Sequence, residues 1–419
     1  MGIARGVSDG VLSETEIRGI VAEAAAALNA KGKRVLVIVP DGTRTMPMAE
    51  MFGHLQESIG AQAAACDYLI ALGTHAPMNE AQLSRMFGRE VKDGRCEGAR
   101  ILNHCWSVPE TFAELGTITA DEVGQISGGL LRESVLVKIN RMIFDYDQVL
   151  ICGPVFPHEV VGFSGGNKYL FPGISGQDMI NQTHWIGALI GSYDLIGTMD
   201  TPVRAMIDRA AAMIRAPIAC LALVVTKEGV AGMFFGDARS AWREAATLSS
   251  QRHIRWLDKP VRRVLAVMPK LYDDIWTAAK GMYKAEPAIC DGGEVIIYAP
   301  HITELSYSHG ALIDQVGYHC RDYFVKQGDK FRDIPRGVLA HSTHLFGQGT
   351  YDSETGVEKG RIRVTLATAI PAERCARVNL GYMAPGEIRP AEWADREAEG
   401  ILLIPRAGEI LYRVKPNPD

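Results

Sequence analysis

Residues 149–184 read V-L-I-C-G-P-V-F-P-H-E-V-V-G-F-S-G-G-N-K-Y-L-F-P-G-I-S-G-Q-D-M-I-N-Q-T-H and join an apolar run to a glycine-rich loop. The run at 149–152 is typical of a strand that is buried on both faces. Glycine lets the backbone adopt positive φ and approach a ligand closely. Lys168 follows a glycine pair, and His158 and His184 stand at the two ends of the loop. From this stretch alone, a ligand-binding loop and a mobile surface loop are both open.

Length and composition indicate a two-domain globular protein. The chain has 419 residues, of which 47% are hydrophobic and 22% are charged, and this length exceeds one core of ordinary size. The net charge of -5 gives no support for nucleic-acid binding, which usually needs a basic face. The start of the chain lacks a secretory h-region, and no apolar run reaches membrane-spanning length. We therefore expect a cytoplasmic protein without nucleic-acid or membrane partners.

The eight cysteines are scattered along the chain, and none forms a C-x-x-C pair. Several lie in apolar runs, which favours buried free thiols over disulfides or a zinc knuckle. Cysteine usage therefore predicts no disulfide framework.

Three apolar runs predict parallel strands, and a polar or glycine-rich loop follows each run at once: residues 35–39, 68–72 and 148–152. The carboxyl ends of neighbouring parallel strands meet at one edge of an open α/β sheet, where ligands bind. We expect the loops to converge there, and convergence of ionisable side chains is typical of active sites. The side chains in question are Asp41, Arg44, His75 and His158.

The first of these loops, P-D-G-T-R-T-M-P at 40–47, precedes a predicted helix at about 48–59. A helix N-terminus can hold a phosphate, and an arginine adds a bidentate donor. The loop matches neither G-x-G-x-x-G nor a Walker A motif. It is a candidate phosphate-binding loop, although an ordinary turn has the same pattern. Its candidate residues are Asp41, Gly42, Thr43 and Arg44.

The second half of the chain predicts a smaller α/β domain. Its first elements are a strand at 264–268, a helix at 274–288 and a strand at 295–299, after a basic linker at 251–263. Further strands are expected at 337–341 and 376–380, and a β-hairpin at 398–414. We predict an N-terminal domain at 1–255, rejoined by 388–419, and a C-terminal domain at 262–385. A helix is also expected at 177–190.

The absence of their sequence motifs excludes several classes of enzyme. A serine hydrolase would need a G-x-S-x-G elbow and a nicotinamide dehydrogenase a glycine fingerprint, and both motifs are absent. A zinc-dependent hydrolase or lyase that uses His75, His158 and His184 stays open as an alternative, although no H-E-x-x-H helix supports it. A phosphate-bearing cofactor that bonds to a lysine also stays open.

The ordered set of motifs resembles the nickel-dependent lactate racemase family. The resemblance rests on D-G-T-R at 41–44, G-T-H at 73–75, His158, the G-G-N-K turn that ends in Lys168, and His184. It covers the chain nearly end to end. It implies a Rossmann-like N-terminal domain with a parallel sheet, a smaller C-terminal domain, and an active site in the cleft between them.

The resemblance also implies the cofactor. This would be a nickel-pincer nucleotide, Ni(II)-pyridinium-3,5-bisthiocarboxylate mononucleotide, covalently attached at Lys168. His184 would be the protein ligand of the nickel, and residues 41–44 would hold the nucleotide. Cofactor-assembly enzymes would be partners of the protein.

The implied reaction inverts C2 of a 2-hydroxy acid through a 2-keto acid, by reversible hydride transfer to the cofactor. His75 and His158 would be the acid/base pair, because imidazole exchanges protons near neutral pH. Lys280 and Thr277 would bind the substrate. Where this chain has Thr277 and Ala76, family members often have glutamine and arginine, so a longer or differently substituted acid than lactate is open.

A polar segment at 341–351, H-S-T-H-L-F-G-Q-G-T-Y, offers groups that could contact the tail of such an acid. A glycine-rich surface loop would have the same composition. The sequence does not decide between these two interpretations.

Overall fold

In the computed structural model, which describes residues 2–416, the strands form an eight-stranded sheet, a five-stranded sheet and four two-stranded sheets. In chain order the strands are β1 (Ile3–Gly6), β2 (Arg34–Pro40), β3 (Ala65–Ala71), β4 (Arg95–Cys96), β5 (Ala99–Asn103), β6 (Phe112–Ile118), β7 (Val135–Asn140), β8 (Gln148–Pro154), β9 (Pro157–His158), β10 (Gly162–Phe163), β11 (Ile218–Thr226), β12 (Gly229–Gly236), β13 (Ile254–Leu257), β14 (Val261–Val267), β15 (Ile289–Ala299), β16 (Gly349–Tyr351), β17 (Glu358–Gly360), β18 (Arg363–Thr368), β19 (Gly381–Tyr382), β20 (Ile401–Ile404) and β21 (Leu411–Val414).

The α-helices of the described residues are α1 (Glu14–Leu28), α2 (Met48–Leu55), α3 (Glu80–Phe87), α4 (Ala120–Ile126), α5 (Gln177–Ile190), α6 (Ser192–Leu195), α7 (Pro202–Ala211), α8 (Ala238–His253), α9 (Ile275–Ala278), α10 (Lys280–Tyr283), α11 (Gly310–Val316), α12 (Arg321–Val325), α13 (Arg336–Phe346) and α14 (Ala372–Arg377). The helix predicted at 177–190 is confirmed as α5. The first helix begins with the capping box that Ser13 and Glu16 form.

The chain divides into two compact units. Unit 1 comprises the chain up to Phe156, Phe163–Thr183 and Arg204–Arg252. Unit 2 comprises Pro157–Gly162, His184–Val203 and the chain from His253 onward. These units differ from the predicted domains, because two short segments before residue 204 and the stretch from 388 group with unit 2. Residues 417–419 of that predicted stretch lie outside the described residues.

Unit 1 is built on an eight-stranded sheet of order β1-β12-β11-β8-β2-β3-β5-β4. Its central strands β11, β8, β2, β3 and β5 are parallel, and antiparallel pairs stand at both edges. The chain continues from β2 to β3 on one side and returns as β8 on the other. The order therefore reverses between β2 and β8, the position where open α/β sheets bind ligands.

Unit 2 contains a second, wholly parallel sheet of order β19-β18-β15-β14-β20. Leu265, Ile296 and Ala367 from its three central strands pack together in its core. The α/β class, with a parallel N-terminal sheet and a second α/β region, is therefore confirmed.

Several predicted elements were wrong. Residues 337–341 belong to α13, whose buried residues run from Gly337 to Leu345, and a helix that is buried all round shows no 3.6-residue pattern. Residues 372–377 form α14 where a strand was expected from 376. The segment at 398–414 is not a hairpin, because β20 pairs with β14 and β21 pairs with β13. Such long-range parallel pairing leaves no local signal.

Two smaller corrections concern the region after residue 250. The expected linker at 251–263 is instead the end of α8 followed by β13 and the start of β14. The helix expected at 274–288 is split into α9 and α10, with a 3-10 turn at Glu286–Ala288. The break falls at Ala279, so α9 ends and α10 begins beside this residue. Backbone groups at such helix ends need capping partners.

Each of the eight cysteines is a free thiol. Cys105 is exposed and Cys290 is half-buried, and the other six are buried. Burial raises the pKa of Cys152 and of Cys220, which lie in the neighbouring strands β8 and β11. These thiols are therefore protonated at neutral pH.

Candidate active site

The loops after β2 and β3 meet in unit 1 through His75 and Asp41. Nδ1 of His75 lies 2.5 Å from Oδ2 of Asp41, close enough for a charge-assisted hydrogen bond. The other carboxylate oxygen of Asp41 accepts hydrogen bonds from the backbone N–H and the hydroxyl of Thr43, at 3.0 and 2.6 Å. Because Nδ1 faces the carboxylate, Nε2 is the nitrogen available for proton exchange.

Asp41 is buried, and burial alone would raise the pKa of its carboxyl group. The charges of His75 and Arg44, with hydrogen bonds from His75 and Thr43, outweigh burial and hold this pKa well below its usual range. Asp41 is therefore ionised at neutral pH. It is suited to orient His75, a partnership that the sequence pattern did not indicate.

Backbone hydrogen bonds fix the loop that carries His75. The N–H of His75 donates to the carbonyl of Leu72 at 2.9 Å, and Nε1–H of Trp106 donates to the carbonyl of His75 at 2.9 Å. The N–H of Gly73 donates to the carbonyl of Gly173 at 2.9 Å. The last bond ties the His75 loop to the segment that follows Lys168.

Lys168 lies in a tight 3-10 turn, Gly166–Tyr169, whose path requires glycine. Gly165 and Gly166 have φ of +87° and +58°, and a Cβ atom on them would lie 2.6 Å from Val155 and 2.8 Å from Trp242. The carbonyl of Lys168 accepts a hydrogen bond from the N–H of Gly173 at 3.1 Å. The turn is therefore rigid, and it presents a half-buried lysine.

Arg44 lies near this turn. Burial raises the pKa of Tyr169, the neighbour of Lys168, while the positive charge of Arg44 acts on the same phenol in the opposite direction. Nη1 of Arg44 also donates to the hydroxyl of Thr43 at 2.7 Å. Gly42 is exposed at the start of the same loop. The loops after β2 and β8 thus bring Arg44 and Lys168 into one neighbourhood of unit 1.

His158 lies in a buried turn of unit 2. Its Nδ1 accepts a hydrogen bond from the backbone N–H of Val160 at 3.1 Å and lies 3.2 Å from Oε2 of Glu159. Only 8% of His158 is exposed. A carboxylate therefore faces Nδ1 of His158, as Asp41 faces Nδ1 of His75.

His184 is half-buried on α5. One turn later Gly187 packs against the His158 turn, and a Cβ atom on it would lie 3.0 Å from Cγ1 and 3.2 Å from the carbonyl oxygen of Val160. The sequence left open whether Gly187 makes room for a ligand or for close packing. The structure shows close packing, which holds the segments of His158 and His184 together.

Thr277 and Lys280 lie at the start of α9 and α10. Asp274 caps α9, and its Oδ1 accepts hydrogen bonds from the N–H and the hydroxyl of Thr277 at 2.9 and 2.8 Å. The ammonium group of Lys280 lies 4.5 Å from the ring centroid of Tyr272. Thr277 thus has a capping partner inside the protein, and Lys280 has its charge over an aromatic face.

A cluster of aromatic and imidazole rings lies in unit 2. Trp276 stacks on His341, with centroids 3.9 Å apart, and its ring lies tilted against that of His309, with centroids 4.6 Å apart. Nε2 of His341 is buried and has no hydrogen-bond partner among the described residues. Burial lowers the pKa of His341 well below its usual value. The groups whose charges add to this shift are His344, His309, His184 and Lys280.

The sequence indicated that the polar segment at 341–351 could contact a ligand, but it did not predict that this segment begins inside a helix. His341 and His344 are three residues apart and share a face of α13, a relation that is visible only once the segment is known to be helical. Within residues 2–416, no group of three histidine, cysteine, aspartate or glutamate side chains is arranged to hold a metal ion. The zinc alternative with His75, His158 and His184 therefore has no support.

Comparison with known proteins identifies the family. The family described as "Lactate racemase N-terminal domain" matches residues 17–193. A curated lactate racemase from Thermoanaerobacterium thermosaccharolyticum is 25% identical over 288 residues, which are 67% of this chain and 62% of that protein. Residues 17–193 thus form a domain of the lactate racemase family. The resemblance inferred from the ordered motifs is thus confirmed.

A lactate racemase from Lactiplantibacillus plantarum is also 25% identical, over 278 residues, or 64% of this chain and 61% of that protein. The chain thus spans less than two thirds of the length of the curated relatives it matches. Within residues 2–416, no helix is long and apolar enough to cross a bilayer.

Two solved structures are similar to this protein over nearly the whole chain. A crystal structure of a protein from Thermotoga maritima is 34% identical, with a TM-score of 0.88, and the match covers 98% of this chain and 100% of that one. The structure of the lactate racemase apoprotein from T. thermosaccharolyticum is 20% identical, with a TM-score of 0.71 and coverage of 96% and 94%. At that identity the second likeness shows the fold alone.

Proposed function

We propose that this protein is an isomerase that inverts C2 of a 2-hydroxy acid, as a racemase or epimerase. The observation that carries the proposal is the contact of 2.5 Å between Asp41 and His75 near the rigid Lys168 turn. An imidazole held at Nδ1 by an ionised carboxylate is suited to exchange a proton through Nε2. The curated relatives named lactate racemase support this reaction class.

The described residues fit a nickel-pincer nucleotide. Lys168 stands on a rigid glycine turn and would carry the covalent bond, and Arg44 beside it would bind the phosphate. His184 would supply the imidazole ligand, because square-planar nickel accepts nitrogen and soft sulfur donors. When bound, the cofactor supplies a reversible hydride acceptor for C2. Thr43 donates a hydrogen bond to Asp41 and accepts one from Arg44, and Asp41 contacts His75. We therefore assign Asp41 and Thr43 the role of orienting His75. Arg44 and the exposed Gly42 would then make the contacts to the nucleotide.

The acid/base roles fall to His75 and His158. A racemase must accept both enantiomers, so one base is needed on each face of the substrate. Each histidine would remove the hydroxyl proton of one enantiomer and return a proton to the other. Lys280 would neutralise the substrate carboxylate. Thr277 is the other residue that we predicted to bind substrate, and we propose that it acts through the cap that orients α9.

A chiral assay tests the reaction. The protein would be produced together with the cofactor-assembly enzymes and offered single enantiomers or epimers from a panel of 2-hydroxy acids. We expect at least one acid to approach an equilibrium mixture from both sides, with nickel bound to the protein. A nickel-loaded protein that interconverts none of the panel, or a protein that binds zinc and hydrolyses substrates, would overturn the proposal.

Intact mass tests the tether separately. Protein made with the assembly enzymes should carry a covalent adduct that a Lys168→Ala variant lacks. A Lys227→Ala variant, in which an exposed lysine is lost, is the matched control and should retain the adduct. Wild-type protein that contains nickel without an added mass would contradict attachment at Lys168.

A further inference from the structure

Three consecutive carbonyl groups before the Lys168 turn, those of residues 163–165, accept hydrogen bonds from side chains of two helices of unit 1. Arg204 on α7 donates through Nη2 to the first carbonyl and through Nη1 to the third, the latter at 3.2 Å. Trp242 on α8 donates through Nε1–H to the second carbonyl at 2.8 Å. Side chains therefore fix the backbone at each residue of this segment.

One oxygen atom connects Arg204 directly with the turn. The carbonyl oxygen of Gly165 accepts from Nη1 of Arg204 and from the backbone N–H of Lys168, each at 3.2 Å. The second of these bonds begins the 3-10 turn Gly166–Tyr169. A displacement of the guanidinium would therefore move the first hydrogen bond of the turn, and with it the direction in which the lysine side chain leaves the backbone.

Arg204 and Trp242 also fix each other. The guanidinium carbon of Arg204 lies 4.1 Å from the centroid of the Trp242 ring, and the two residues are 4% and 2% exposed. A planar guanidinium that stacks on an indole is stabilised by the electrons of the ring, and its donors point in fixed directions. The stack therefore sets the plane from which two nitrogens reach two carbonyls.

The burial of Arg204 is unfavourable for stability. Burial lowers the pKa of Arg204 to about 10, and the charge of Asp208 opposes this shift. Arg204 is still charged at neutral pH, and a buried charge often costs free energy that an apolar side chain of similar size would avoid. Stability alone therefore does not account for an arginine here, whereas a rigid donor that meets two carbonyls does.

The same face of α7 contacts the residue before the lysine. Asp208, four positions after Arg204 and therefore on the same side of the helix, accepts a hydrogen bond from Nδ2 of Asn167 at 2.9 Å. Its other carboxylate oxygen lies 3.7 Å from Nε of Arg239 on α8. Helix α7 thus bonds to the turn at two places and is paired with α8 there.

We propose that Arg204 is a positioning residue, which together with Trp242 fixes the start of the Lys168 turn and so directs the lysine towards covalent attachment of a cofactor. The part of this role that concerns attachment rests on the proposed function. The fixing of the turn does not, since it follows from contacts within unit 1.

Hydrogen exchange tests the inference on the protein without cofactor. Four backbone N–H groups at 168–173 donate to carbonyls of residues 165–168. Arg204→Met fills a similar space and removes both donors to the segment. We expect these amides to exchange at least about tenfold faster in the variant, because hydrogen bonds from a charged donor are lost. Amides of β2 and β3 should keep their rates, which distinguishes local loosening from a general loss of stability.

Two further variants separate the paired hydrogen bonds from charge and from position on the helix. Arg204→Lys keeps the charge but lacks the fixed fork of the guanidinium, so its turn should exchange faster than in the wild type and more slowly than in Arg204→Met. Arg209→Met is the matched control, because Arg209 lies on α7 and donates to Glu122. Its turn should exchange as in the wild type.

Two exchange results would overturn the inference. One is an unchanged rate at 168–173 in folded Arg204→Met or, if that variant does not fold, in Arg204→Lys. The other is an equal acceleration in the turn and in β2 and β3, which would indicate a role in general stability alone.

Covalent attachment gives a second readout. When the proteins are produced together with the cofactor-assembly enzymes, a severalfold smaller fraction of Arg204→Met than of wild type should carry the added mass, because a displaced reacting group reacts more slowly. Arg209→Met should match the wild type. A full adduct on Arg204→Met would contradict the positioning role. Absence of the adduct from the wild type would instead contradict the proposed function and leave the exchange result standing.

Discussion

At the scale of single residues, the contact between Asp41 and His75 organises the candidate site of unit 1. The carboxylate stays ionised although it is buried, because His75, Arg44 and Thr43 stabilise its charge. A buried carboxylate that lost these partners would pay the full cost of desolvation. The position of the imidazole therefore depends on groups in a different loop.

Replacing Asp41 tests this dependence. Asp41→Asn keeps the size of the side chain and removes the charge, and the amide can stabilise the unproductive tautomer of His75. We expect kcat to fall on the order of 10² or more, as for other carboxylate–histidine pairs, while nickel content stays unchanged. The chiral assay measures the first quantity and metal analysis the second. Full turnover in the variant would contradict the role of Asp41.

The low pKa of Asp41 in the folded protein predicts that its contribution to the free energy of unfolding depends on pH. The folded-state pKa of Asp41 is depressed, so its contribution is fully present above its unfolded pKa of about 3.9 and is lost as pH falls through the folded value. On acidification from about pH 5, the difference in free energy of unfolding between wild type and Asp41→Asn should shrink, mainly below about pH 4. Urea unfolding across this range measures it. A difference that grows as the pH falls below about 4 would refute the assignment.

The sequence indicated both Asp41 and His75, yet it did not indicate their bond. The two residues are 34 positions apart, and their contact follows from the register that sets Pro40 opposite Ala71 in β2 and β3. Register depends on long-range pairing, which no local pattern encodes. Residue types were therefore predictable where partners were not.

At the scale of elements, replacing a glycine should have opposite effects on stability in two helices. Gly187 of α5 touches Val160, whereas a Cβ atom added to Gly19 of α1 would have no neighbouring atom within 4 Å. We expect Gly187→Val to lower the free energy of unfolding by about 1–3 kcal/mol through overpacking. Gly19→Ala should raise it by about 1 kcal/mol through helix propensity. Denaturant unfolding of both variants checks the contrast, and equal effects would contradict it.

Elements differ in how far the sequence predicts them. The strands at 35–39, 68–72 and 148–152 were recognised because long apolar runs mark strands that are covered on both faces. Helix α13 was missed because its buried residues face the core on every side. Because this helix was missed, the sequence did not reveal that Trp276, His309 and His341 form one cluster.

At the scale of the whole molecule, the parallel order of the first sheet was predictable and the composition of the two units was not. Strands that alternate with helices indicate a parallel sheet. The assignment of Pro157–Gly162 and His184–Val203 to unit 2 depends on packing over long sequence separations. Hence His158 and His184 fall in one unit and Lys168, between them in sequence, in the other.

Thiol accessibility gives a test of this fold as a whole. Cys105 is the exposed thiol and six others are buried, so an alkylating reagent should modify Cys105 first in the native protein. Unfolding in urea should expose all eight cysteines. Peptide mass spectrometry identifies the sites, and rapid native labelling of Cys152 or Cys220 would contradict the packing of β8 and β11.

The burial of these thiols bears on how the protein would receive the nickel that we propose for it. Thiolates are strong ligands for nickel and copper, and a chain with eight accessible ones would scavenge ions indiscriminately. In the sheet, Cys152 and Cys220 stay protonated because burial raises their pKa, that of Cys220 to about 12. The protein can thus contain eight cysteines without their thiols competing with the proposed nickel ligands for metal ions.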